Sequence, residues 1–105
     1  MFKKSVLLSV LLLTFPVAFA EENADIKALK KDMPQDVVLM IDRIIQCNHW
    51  NSEEPKTKER IDQVKKVLAQ LRCEVLPKEQ SELLKRYQNN YIVKTRIESA
   101  ETILF

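Results

Sequence analysis

Apolar residues recur along this chain at the spacing of helical faces. Val37, Val38, Met40, Ile41, Ile44, Ile45 and Cys47 cover nearly half the circumference of a helix turned by about 100° per residue. Asp36, Arg43 and Gln46 lie off that face, and Leu39 is an apolar outlier on the polar side. So wide an arc predicts a central helix, from about Pro34 to Cys47, that touches more than one neighbour. Pro34 suits a first turn, and Asp32 and Asp36 place negative charge where the helix dipole favours it. The β-branched pairs Val37–Val38 and Ile44–Ile45 also suit a strand.

A narrower stripe follows. Ile61, Val64, Val67, Leu68 and Leu71 share one face, and Glu59, Asp62, Lys65, Lys66 and Arg72 take much of the rest. Ser52 before Glu53–Glu54–Pro55 reads as a capping hydroxyl, an acidic first turn and a proline, so a helix is predicted from about Pro55 to Arg72. Upstream, Ile26, Leu29 and Met33 predict a short helix within Glu21 to Met33. Downstream, Leu76–Pro77 opens a further segment in which Leu83, Leu84, Tyr87 and Tyr91 share a face. Asn89–Asn90 punctuates it, and Val93, Ile97, Ala100 and Leu104 resume helical spacing. The expected fold is all-α, a small bundle of four or five helices in one domain over residues 21–105.

The first twenty residues have a different pattern. Lys3 and Lys4 precede an apolar run to Phe15, Pro16 breaks it, and Ala18 and Ala20 supply an A-x-A cleavage site. This is the design of a secretory signal peptide cleaved near Ala20. The run is shorter than the roughly 20 residues of a membrane span. Glu21, rather than a lipid-accepting cysteine, follows the cut. The short signal is bacterial in style, so the mature chain is expected in the periplasm or outside the cell, with no membrane anchor.

Charge and composition then exclude several classes. Two of the 17 basic residues and none of the 15 acidic ones lie in the signal, so the rest of the chain balances. No basic surplus remains to grip nucleic acid or anionic lipid. Glycine is absent from the chain, which removes phosphate-cradling and dinucleotide loops. It also leaves asparagine to end helices, and Asn48, Asn51, Asn89 and Asn90 sit where helices are expected to stop.

Cys47 and Cys73 are the only cysteines. In an exported chain an even pair is expected to form one intramolecular disulfide. For a loop of this size the chain-entropy model gives roughly 3.5 kcal/mol, a large share for a small core. C-x-x-C spacing is lacking, so a structural role is expected over redox catalysis. The bond also constrains the path. The predicted third helix is roughly 25 Å long, so the link from Asn48 to Glu54 is expected to run back along the central helix before that helix returns to Cys47. On an ideal helix Cys73 points away from the Ile61–Leu71 stripe. The helix should therefore loosen near Arg72 or bury a second face through Ala69 and Leu76.

Cys47–Asn48–His49–Trp50, Glu53–Glu54–Pro55, Arg60, Leu71–Arg72–Cys73 and Leu83–Leu84–Lys85–Arg86–Tyr87 together resemble a pattern of small exported bacterial proteins, C-N-H-W…E-E-P…R…C followed by a leucine–arginine–tyrosine helix. The resemblance spans about Asp36 to Leu104. It departs where Asn51–Ser52 replace a small glycine-containing pair and Lys56–Thr57 replace Tyr–Asp. It implies export and a second cysteine that follows a helix, and it implies no activity.

His49, Trp50, Glu53, Glu54 and Arg60 offer an aromatic anchor, a donor–acceptor ring and charges of both signs in a short span. One histidine with two carboxylates falls short of a zinc site, and a small helical domain has little room for a catalytic cleft. No enzyme activity, cofactor or metal is expected. The bland alternative is that His49 and Trp50 seal the disulfide while Arg60 pairs with Glu53 or Glu54. The leading expectation is a non-catalytic protein-binding protein of the bacterial envelope, whose partner is another envelope protein or an incoming one, as for a hydrolase inhibitor or a toxin-neutralising protein. The alternative is a structural or accessory envelope protein, and a metal or ligand carrier ranks behind both.

Overall fold

The computed structural model describes residues 23–103. The signal peptide and Leu104 lie outside the described residues. Among those described are five α-helices: α1 (Ala24–Lys30), α2 (Gln35–Asn51), α3 (Lys58–Gln70), α4 (Leu76–Arg86) and α5 (Tyr91–Ala100). A 3-10 turn, Cys73–Val75, joins α3 to α4. The chain is an all-α bundle with Cys47 bonded to Cys73, and no described residue lies in a strand.

The wide arc of α2 is the centre of the core. Val37, Met40, Ile41, Ile44, Ile45 and Cys47 are buried, and α1, α3, α4 and α5 all pack on this helix. Leu39 is exposed, as its place on the polar side requires. Ile26 of α1, Leu76 and Leu83 of α4, and Val93, Ile97 and Ala100 of α5 complete the core cluster. Tyr87 joins its edge, whereas Tyr91 opens α5 and is exposed, so the two tyrosines do not share the expected face.

Several boundaries differ from the expected ones. Helix α2 does not stop at Cys47. Nothing in Asn48–His49–Trp50–Asn51 breaks a helix, so these residues add a further turn, which ends where the Ser52 N–H bonds the Asn48 and His49 carbonyls. The Ser52 hydroxyl bonds the His49 carbonyl at 2.9 Å, so it closes α2 and does not cap α3. Thr57 caps α3, accepting from the Arg60 N–H at 3.1 Å. Asn51 is the last residue of α2, as expected of a helix end, whereas Asn48 lies within that helix and Asn90 caps the start of α5 through the Val93 N–H. The left-handed positions that glycine would take fall to Asp32 (φ 61°) and Arg72 (φ 56°).

Arg72 is where α3 loosens. Leu71 closes the helix, Arg72 turns left-handed, and Cys73 swings round to meet Cys47 at a Cα–Cα distance of 5.7 Å. The link Ser52–Thr57 does not run back along α2. Arg60, in the first turn of α3, lies over Trp50 at the end of α2, so the chain reverses there and α3 returns beside α2. Arg43 secures the far end. Its Nε donates to the Leu71 carbonyl (2.9 Å), Nη2 to the Arg72 carbonyl (3.0 Å) and Nη1 to Glu79 (2.5 Å). Arg96 of α5 donates to the carbonyls of Ala28, Leu29 and Lys31 and so caps the C-terminal end of seven-residue α1.

Candidate functional site

Four of the five candidate contact residues come together at the turn between α2 and α3. His49 and Trp50 are carried by the added turn of α2, half-buried, with ring centroids 5.8 Å apart and planes at 84°. The Arg60 guanidinium carbon lies 5.0 Å from the Trp50 ring centroid, within cation–π range. Glu53, in the connecting loop, takes Arg60 in a two-pronged pair: Nη2 donates to Oε1 at 2.7 Å and Nε donates to Oε2. Arg60 Nη1 donates to the Gln63 side chain at 2.7 Å. The guanidinium plane is thus fixed from two sides while it covers the indole.

Glu54 is exposed and takes no part in the hydrogen bonds of Arg60. Trp50 stays outside the core cluster, so it is not sealed into the interior. Gln63 was not a candidate from the sequence; its signal is its place one turn after Arg60 on the same helix. Ile61, the next residue along α3, is 38% exposed and adds an apolar edge.

The charges of this site and of the Arg43 clamp set an acid limit. The Arg60 hydrogen bond holds the Glu53 carboxyl below its ordinary 4.5, helped by the Arg60 charge and opposed by burial. Glu79 is held below 4.5 in the same way, first by its Arg43 hydrogen bond and then by the Arg43 and Arg72 charges. The hydrogen bond to Asp36 pushes Tyr87 above its ordinary 10.0. A lowered carboxyl stabilises the fold above its unfolded value, and that contribution is lost as pH falls through the folded one. A raised tyrosine stabilises below its unfolded value and loses that as pH rises past it. The urea midpoint is therefore expected to be flat between about pH 5 and pH 9 and to fall on both sides. Glu79→Gln should flatten the acid limb. A midpoint unchanged from neutral pH down to about pH 3 would contradict these pairings.

An open cleft of about 560 Å³ lies on another side of the disulfide, with Ile44, Leu76 and Leu84 in its walls and Asn48, Gln80 and Glu101 among its polar groups. Asn48 donates to the Glu101 carbonyl at 3.1 Å and Gln80 to its carboxylate, so these rim groups bond one another. Among the described residues no three histidine, cysteine, aspartate or glutamate side chains are grouped to hold a metal ion, and no helix is long and apolar enough to cross a membrane.

No family model, curated protein or solved structure matches this chain. The functional argument therefore rests on the site itself.

Proposed function

We propose that this chain is a non-catalytic protein-binding protein of the bacterial envelope, and that it meets its partner through the segment from Asn48 to Arg60. The observation that supports this is the stacked Trp50–Arg60 pair. Tryptophan and arginine are the residues most enriched among interface hot spots. Here they stand half-buried at the tip of a helical hairpin, ordered before any partner arrives by Glu53 and Gln63. A surface already ordered loses little entropy on binding. Exposed Glu54 and Ile61 flank it with one charge and one apolar side chain. Inhibition of a hydrolase or neutralisation of an incoming toxin is the binding role we place first.

A structural or accessory role has its own support. The Arg60 donors Nε, Nη1 and Nη2 are used within the chain, on Glu53 and Gln63, as a purely internal brace would use them. Affinity capture separates the two. The immobilised oxidised protein is expected to retain a discrete envelope protein that the Trp50→Ala/Arg60→Ala variant releases, while Glu54→Lys weakens capture without changing the melting curve, since an exposed charge matters little to the fold. Equal retention by the folded double variant would assign the cluster to the brace.

A further inference from the structure

Helix α3 stands outside the core. The core cluster is drawn from α1, α2, α4 and α5, and Val64, the one side chain that α3 buries, is not a member of it. At 13 residues, α3 is of a length that is marginal by itself in water. Its first turn is tied by Arg60 to Glu53 and Trp50, and its end by the Arg43 hydrogen bonds and the disulfide just beyond. The two sulfurs are placed unequally. Cys47 is a core residue, 2% exposed, whereas Cys73 is half-buried; both border the larger cleft, and Cys73 alone of the two also lines a second one beside Lys65 and Leu68.

We propose that the Cys47–Cys73 bond is a redox latch on α3. A dithiol reductant opens it at the Cys73 sulfur, and α3 then leaves α2 while the core of α1, α2, α4 and α5 stays folded. The entry point follows from access, because a thiolate must reach the sulfur it attacks and the burial of Cys47 leaves Cys73 as that sulfur. Lys65 and Glu74 both stand in the wall of the second cleft, so its charges offset and access alone selects Cys73. The first thiolate of the reductant forms a mixed disulfide with Cys73, and the electron pair of the broken bond leaves on Cys47, which takes a proton. The second thiol of the reductant then loses its proton and attacks its partner sulfur, releasing Cys73 as a thiolate that is protonated in turn. The chain gains two electrons and two protons, and the reductant ends as a disulfide.

Opening also dismantles the stacked pair, because Arg60 travels with α3 and Trp50 remains on α2. Trp50 is the only tryptophan, so its emission reports the event directly. The latch is a property of the fold and does not rest on the binding role proposed above, although opening would take apart the surface that role uses.

Hydrogen exchange read by mass spectrometry tests it on the purified protein, oxidised and after native treatment with dithiothreitol. Amides of residues 58–70 are expected to lose protection on the order of a hundredfold. Those of 37–47 and 93–100 should keep protected-core behaviour, and Trp50 emission should shift to the red. Cys73→Ser should give the same pattern without reductant. Retained protection of 58–70 in the reduced protein would overturn the latch. So would loss of protection in all helices together, or a bond that dithiothreitol leaves intact in the native protein.

Discussion

Replacing Ile41 by alanine is expected to lower stability by about 3–4 kcal/mol, the upper half of the usual range for such a truncation. Ile41 is fully buried in α2, the helix on which the four other described helices pack. The cavity left behind would be bounded by a backbone that four neighbours hold in place, so little collapse can offset it. A small domain has only roughly 5–15 kcal/mol of net stability, and one of this length sits toward the lower end. The variant should therefore unfold at a much lower urea concentration, followed by circular dichroism at neutral pH. Leu39→Ala on the same helix removes a side chain that is 56% exposed and should change the midpoint by no more than about 0.5 kcal/mol. Similar costs for the two variants would mean that α2 does not bury the face assigned to it.

That face was legible in the sequence because periodicity alone specifies it. Val37, Ile41, Ile44 and Ile45 fall on one arc, and burial follows the arc. The pairing of Cys47 with Cys73 was legible from their number and the expectation of export. Helix ends were less so. Ser52 and Thr57 are both hydroxyl residues with a glutamate within the next two positions, and the choice of Thr57 as the cap depends on where α3 can start once α2 has run on to Asn51. Asn48 read as a stop, yet its side chain is used on the Glu101 carbonyl, a partner 53 positions away. Arg43 read as one more polar residue off the apolar arc. Its role as a clamp exists only because the chain brings the Leu71 and Arg72 carbonyls and Glu79 to it. Within the candidate site, His49, Trp50, Glu53 and Arg60 were legible as a group, but the stacking of Arg60 on Trp50 and the grip of Gln63 were not. Both depend on the reversal of the chain between α2 and α3.

The largest functional effect is expected at Trp50. A buried aromatic anchor at the centre of an interface often contributes 2 kcal/mol or more, which is roughly a thirtyfold change in affinity. The fold should tolerate Trp50→Ala far better than Ile41→Ala, because Trp50 lies outside the core cluster. A melting curve that remains cooperative, together with lost capture of the partner, is the combination expected of a contact residue. A collapse of both would point to the brace.

The most direct measurement is site-specific photocrosslinking in living cells, with a benzophenone side chain at position 54 in the exposed loop and, as a control, at position 27 on α1. A discrete heavier adduct from position 54, absent from position 27 and lost when Trp50→Ala is added, is the expected result. No adduct from position 54, or the same adducts from both positions, would contradict a partner docked on Asn48 to Arg60.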